Sequence, residues 1–294
     1  MATDPEAVRR WALVLDSQGI PYTVARSEDG GATLVVDAPY AAAASAALAA
    51  YAEENVAFDE GGGAPEGRDR GAARGIREGL APAAVGVATG ALLLAFFGVT
   101  GGFAAGSRWH AAGAASGELI RAGEIWRTVT ALTLHADLAH VLANTFSWAL
   151  FVSATMMTVG TGSGLWLVLL AGALGNLVNS LLRGPGYYGV GASTAVFGAV
   201  GVMAGHQLTG HGGRSRRAGF WTPLVAGLLL FVLLGTGEHT DVLAHLLGLL
   251  AGIALGALAG TLPARKGKAE WALSGSALAF VALNWWLALA RWPN

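Results

Sequence analysis

The sequence predicts an all-α polytopic membrane protein preceded by a small soluble α+β domain, and three observations carry that expectation. Hydrophobic residues make up 54% of the 294 residues, charged residues only 13%, and the mean hydropathy is +0.52, outside the range of ordinary soluble domains. From Leu80 onward, apolar runs of roughly 18 to 25 residues recur, the length a helix needs to cross a bilayer. Before them, residues 4–58 show a helix-period run, two strand-like runs and an alanine-rich stretch.

The opening "MATDPEAVRRWALVLDSQGI" is polar and has neither the apolar core nor the small-residue cleavage site of a secretory signal, so it is expected to stay in the cytoplasm. Asp4 to Gln18 reads as a helix, "YTVARS" and "ATLVVD" as short strands, and Ala38 to Glu54 as a second helix. This α-β-β-α pattern places a small cytosolic domain at residues 1–58, with a thin core of its own. The next stretch, "DEGGGAPEGRDRGAARGIREG", mixes glycine with both charges and is expected to be a flexible linker over 59–79. The membrane core then occupies 80–265, and 266–294 supplies an additional C-terminal transmembrane helix. Seven spans are predicted, at 82–103, 133–157, 162–182, 192–209, 219–236, 241–262 and 270–290. The fourth is broken up by glycine.

A formal net charge of −1 gives no basic surface for nucleic acid. The absence of cysteine excludes disulfides, Fe–S clusters and thiol catalysis. Lysine and arginine collect on the cytoplasmic side of membrane proteins. With the N-terminus inside, the inner segments hold thirteen of them, among them Arg68, Arg70, Arg74, Arg77, Arg214, Arg216, Arg217 and Lys266. The outer segments hold five: Arg108, Arg121, Arg127, Arg183 and Arg291. The C-terminus is then outside, as is the segment "GELIRAGEIWRTVT", whose Trp126 and other amphipathic residues are expected to lie in the membrane interface.

Ionisable and strongly polar side chains are costly within a span, so each is a candidate for function. "HADLAHVLANTF" places His135, His140 and Asn144 in span two, the last two on one helical face. "DVLAHLLGLLAG" carries His245 in span six, and span four opens with Ser193 in "GASTAVFG". Singly, each has a structural reading: a serine bonded to its own helix, a packing histidine, an interhelical hydrogen bond. Jointly those readings are weak in a chain whose other spans are almost free of such groups.

The chemical reading is nucleophilic catalysis, in which a serine hydroxyl needs a histidine to take its proton and donors to hold the oxyanion. Ser193 and His245 supply the first pair. His140 and Asn144 can supply side-chain donors beside the N–H of Ser193, and a serine at a helix start puts its hydroxyl among free N–H groups. Gly248 and Gly252 stand at G-x-x-x-G spacing directly after the histidine, and Gly198, Gly201 and Gly205 lie in span four, so the two helices can approach closely.

At these residues the sequence resembles the rhomboid intramembrane serine proteases. The likeness covers Trp126 and Arg127, the H-x-x-x-x-H-x-x-x-N pattern at His135, His140 and Asn144, "GAST" from Gly191, and His245 with Gly248 and Gly252. It implies a rhomboid-like six-helix core plus one extra C-terminal span, and a Ser193–His245 dyad opening to the outer face. It further implies oxyanion stabilisation by His140 and Asn144, and a serine endopeptidase cleaving transmembrane segments of other membrane proteins. The small N-terminal domain also resembles one found ahead of the core in some bacterial members, which implies a bacterial inner membrane. No cofactor or metal is implied, and the partners are transmembrane protein substrates and the lipid bilayer, with no nucleic acid. Two positions depart from the pattern: Thr194 stands where glycine is commoner, and Phe197 where a tyrosine packs on the histidine.

Asp241, four residues before His245, reads as the N-cap of its helix rather than a third catalytic group. The alternative to an enzyme is a catalytically inactive rhomboid-like chaperone or binding protein, against which both Ser193 and His245 argue. A transporter would show paired broken helices, and an intramembrane metalloprotease H-E-x-x-H; neither pattern occurs. "GASTA" also lacks the second glycine of the G-x-S-x-G elbow of soluble hydrolases.

Overall fold

The computed structural model describes residues 5–26, 32–54, 66–209, 225, 227, 241–263 and 267–291. Contacts divide the chain into two units, Met1–Ala73 and Arg74–Asn294. In the first, α1 (Pro5–Ser17) is followed by β1 (Thr23–Arg26), β2 (Ala32–Val35) and, after a 3-10 turn at Ala38–Tyr40, by α2 (Ala41–Glu54). The strands are antiparallel, with Thr23 opposite Val35 and Arg26 opposite Ala32. Their inner face joins Leu15, Ile20 and Ala44 in a small core bordered by Tyr22, Leu34 and Leu48. The α-β-β-α order is the one the periodicities predict.

Helix α3 (Glu66–Thr100) corrects one expectation: residues 66–79, expected as linker, are helical backbone. Gly67, Gly71, Gly75 and Gly79 weaken a helix here, but the alanines, arginines and glutamates between them favour one, and extending a helix already nucleated avoids the cost of starting it. Composition read locally misses that continuation.

The connection after α3 is folded into short pieces: α4 (Arg108–Gly113), β3 (Ala115–Ser116), α5 (Gly117–Arg121) and α6 (Arg127–Thr130). Four longer helices and one central one follow: α7 (Leu138–Val159), α8 (Thr161–Arg183), α9 (Ser193–Thr209), α10 (Val242–Ala259) and α11 (Lys268–Ala290). β4 (Tyr188–Gly189), between α8 and α9, pairs antiparallel with β3, Ala115 opposite Gly189.

Among the described residues, five segments are long and apolar enough to cross a membrane: Leu80–Ala105, Leu138–Val159, Thr161–Arg183, Val242–Ala259 and Lys268–Ala290. The chain is a polytopic integral membrane protein. The expected fourth span, α9, has only 17 residues, and every residue from Thr194 to Gly205 is buried. It is lined by protein rather than lipid, which explains why glycine replaces bulk along it. The expected fifth span, 219–236, lies outside the described residues save 225 and 227.

In lipid, helices gain little from hiding apolar surface, so close backbone approach and van der Waals contact decide packing. Here α9 and α10 interlock through glycine. A Cβ at Gly248, Gly252 or Gly256 would overlap the carbonyls of Thr194, Gly198 and Val202, and one at Gly201 or Gly205 those of Leu249 and Ile253. Helix α8 packs against the same pair, where a Cβ on Gly172 would stand 2.7 Å from Ala195 Cβ.

Helix α11 is fastened at both ends. The buried Glu270 carboxylate accepts from the N–H groups of Gly162 (2.7 Å) and Ser163 (3.0 Å) and from Ser163 Oγ (2.7 Å), and so caps the start of α8. At the other end Trp285 Nε1 donates to Thr133 Oγ1 at 3.0 Å, and its ring meets Phe96 and Trp109 edge-on.

Candidate active site

Ser193 is the first residue of α9 and half-buried. The chain reaches it through Gly191, whose φ of +128° is open to glycine and strained for any residue with a side chain. The Gly191 N–H donates to Ala131 O at 2.9 Å, which ties the approach to the folded connection. His245 is buried in the first turn of α10, its N–H donating to Asp241 O at 3.1 Å. Its Nε2 lies 2.8 Å from Ser193 Oγ. With the ring proton on Nδ1, the hydroxyl donates to Nε2, the arrangement in which a histidine can take the serine proton.

The two departures from the family pattern are absorbed by packing. Phe197, one turn after Ser193, stacks on the His245 imidazole with centroids 4.5 Å apart and planes 18° apart. Thr194 is buried, its methyl facing Gly175 and Gly248; a Cβ on Gly175 would stand 2.7 Å from Thr194 Cγ2. Glycines on both neighbouring helices leave room for the threonine.

His140 and Asn144 lie one turn apart on α7, near the approach to Ser193. A Cβ on Gly191 would stand 2.8 Å from His140 Nε2 and 3.6 Å from Ser193 Oγ, so imidazole and hydroxyl border one spot. The Ala136 N–H donates to His140 Nδ1 at 3.4 Å, which leaves Nε2 as the ring's donor toward that spot. Asn144 is buried; its amide NH2 donates to His140 O at 3.0 Å. His135 packs edge-on to His140, centroids 5.2 Å apart, and its carbonyl meets His110 Nε2 at 3.2 Å.

Asp241 does not approach His245 as a third member of a triad. Its Oδ1 accepts from the Ala244 N–H at 3.1 Å as the N-cap of α10 and pairs with Arg183 Nη2 at 3.3 Å. Its Oδ2 accepts from Asn179 Nδ2 at 2.6 Å. Burial pushes this carboxyl up, but the Ala244 N–H, Tyr187, Asn179 and Arg183 outweigh it and hold Asp241 below its ordinary value. Tyr187, on the approach to Ser193, is pushed up by burial and by the Asp241 charge.

Trp126 and Arg127 are brought near the connection rather than the serine. Arg127 is fully buried, with Nη1 donating to Ala114 O at 2.9 Å and Nε bonded to Glu124 at 2.6 Å. Trp126 corrects an expectation: its ring is buried, its Nε1 donates to Ala112 O at 3.4 Å, and Arg291 covers it at 5.3 Å. An interfacial ring is exposed to headgroups; this one is enclosed by the C-terminal end of α11. Gly248 and Gly252 are the α10 side of the glycine contact.

Among the buried polar groups that sequence reasoning missed are Asn176, which donates to Thr128 O at 3.0 Å, Asn179 and Glu270. Their signal is a polar side chain in an apolar run, without the nucleophile or base chemistry of serine and histidine. The other spans are therefore not free of such groups. Among the described residues, no cluster of three His, Asp or Glu side chains is arranged to hold a metal ion.

The family model for the Rhomboid domain matches residues 122–261, the stretch that carries His140, Asn144, Ser193 and His245. The chain belongs to the rhomboid family. It is 36% identical over 145 residues to Rhomboid-like protease 2 of Toxoplasma gondii, covering 47% of this chain and 49% of that protein. It is 31% identical over 140 residues to the putative rhomboid protease YdcA of Bacillus subtilis, covering 45% and 66%. It is 30% identical over 153 residues to the Rhomboid protease GlpG homolog of Cronobacter sakazakii, covering 49% and 52%. The alignments span about half to two thirds of these relatives' lengths. The rhomboid match takes in the α7–α10 bundle and, from residue 122, the last part of the connection before it.

Proposed function

We propose that this rhomboid is an active intramembrane serine endopeptidase that cleaves transmembrane segments of other membrane proteins. Ser193 is the nucleophile and His245 the base, and no cofactor takes part. The observation that carries the reading is the 2.8 Å approach of Ser193 Oγ to His245 Nε2 across two helices held at backbone contact. Ser193 attacks the scissile carbonyl, His245 takes its proton and returns it to the leaving amine, and water hydrolyses the acyl-enzyme. The Ser193 N–H, His140 Nε2 and Asn144 Nδ2 receive the charge developing on the carbonyl oxygen. Phe197 holds the imidazole plane.

Residues 1–58 form a cytosolic domain joined through 59–79 to the protease core at 80–265, and 266–294 is an added crossing. The N-terminus faces the cytoplasm of a bacterial inner membrane and the site opens to the outer face, as the distribution of lysine and arginine favours.

The test is cleavage of a generic single-span substrate by the purified protein in detergent. Wild type should cut it and Ser193→Ala should not, while migrating as a folded protein. Equal cleavage by the two would overturn the assignment, and a wild type that binds the substrate without cutting it would favour a chaperone or binding role.

A further inference from the structure

Ser193 and His245 sit on separate helices, 52 residues apart in sequence, and their 2.8 Å contact requires the heads of α9 and α10 to stay in register along the helix axes. The glycine contacts fix how close the axes lie. Thr209 Oγ1 donates to Ala257 O at 2.7 Å and ties the far ends of the two helices, and the heads, where serine meets histidine, call for a polar tie of their own.

Asn179, completely buried near the end of α8, bonds to the head of α10 and to the chain that leads into α9. Its Nδ2 donates to Asp241 Oδ2 at 2.6 Å and to the Tyr187 hydroxyl at 2.9 Å, engaging both amide hydrogens. The amide can face only this way, because a carboxylate accepts and does not donate. Asp241 heads α10 and its carbonyl receives the His245 N–H, so a shift of Asp241 carries the histidine with it. Tyr187 lies on the approach to Ser193, with its carbonyl receiving the Gly117 N–H at 3.1 Å. The Arg183–Asp241 pair is half exposed and contributes little beside a buried charge-assisted bond.

We infer that Asn179 is a positioning residue, whose amide joins the Asp241 head of α10 to the Tyr187 approach to Ser193 and so sets the register of the serine–histidine pair. This rests on the proposed dyad.

The experiment measures how fast a fluorophosphonate probe labels the protein in detergent. Ser193 Oγ bonds to phosphorus, fluoride leaves, and the hydroxyl proton passes to His245. The labelling rate per folded molecule and the melting temperature are recorded for wild type, Asn179→Leu, Arg183→Ala and the double exchange Asn179→Asp with Asp241→Asn. Asn179→Leu removes both donors and should slow labelling by roughly tenfold to a hundredfold, as displacements on the order of 1 Å do at reacting pairs. The double exchange rebuilds a donor–carboxylate pair with the partners reversed and should label within about threefold of wild type. Arg183→Ala should match wild type. A folded Asn179→Leu that melts lower yet labels at the wild-type rate overturns the inference, because the bond then serves stability alone. Where Asn179→Leu does not fold, the double exchange decides: folded but about tenfold slower, it overturns the inference. Ser193→Ala separates the two claims, since label on that variant, or none on wild type, refutes the dyad itself.

Discussion

At the scale of residues, the site depends on a few atoms whose surroundings dictate their chemistry. A side chain at Gly191 is strained, since its φ is positive and a Cβ would stand 2.8 Å from His140 Nε2. Gly191→Ala should therefore displace His140 and lower the cleavage rate by roughly tenfold or more, the scale of an oxyanion donor deletion, measured as single turnover. His140→Ala and Asn144→Ala separate chemistry from packing. As oxyanion donors, each should lose on the order of ten- to a thousandfold in rate with little change in melting temperature. As structural groups, each should lower stability by about 1 to 2 kcal/mol with unchanged turnover per folded molecule. Ser193, His245, His140 and Asn144 were legible in the sequence because polar groups are costly in a span and stand out against apolar neighbours. Asn179 and Asn176 met the same criterion, but hydrogen bonds to Asp241 or to Thr128 O depend on tertiary neighbours that no spacing in the chain encodes.

At the scale of elements, the pairing of α9 with α10 is what lets Ser193 meet His245. Gly252→Val places atoms where the Gly198 carbonyl lies and should destabilise the fold by about 1 to 3 kcal/mol, read by thermal unfolding in detergent. Gly275, with nothing within 4 Å of a built Cβ, supplies the contrast: Gly275→Ala should leave unfolding unchanged or slightly later. Glu270 gives α11 a comparable test. Glu270→Ala strips the start of α8 of its cap and leaves buried N–H groups without an acceptor, so stability should fall by about 1 to 3 kcal/mol. Wild-type stability in Glu270→Ala would show that α11 is not held by its carboxylate. The long spans were readable from apolar run length, and α9 least so, because a helix enclosed by protein needs neither the length nor the bulk of one facing lipid. The helical stretch 66–79 escaped detection for a related reason: its composition is that of a linker, and its helicity continues from the apolar helix beyond it.

At the scale of the whole molecule, topology and chemistry must agree. The start of α10, the start of α9 and the end of α11 lie toward the connection between α3 and α7, as Ser193–His245, Gly191–Ala131 and Trp285–Thr133 contacts require. In the proposed topology that side faces outward, as the sequence distribution of lysine and arginine favours. A reporter fused after Asn294 should therefore be active outside the cytoplasm, and activity inside would reverse the orientation or remove a crossing. The central claim is tested most directly by reconstituting the protein in liposomes with a single-span substrate and mapping the cut by mass. Wild type should cut within or at the edge of the substrate's span, and Ser193→Ala and His245→Ala should not cut at all; cleavage by either folded variant at the wild-type rate would show that Ser193 and His245 are not the nucleophile and base.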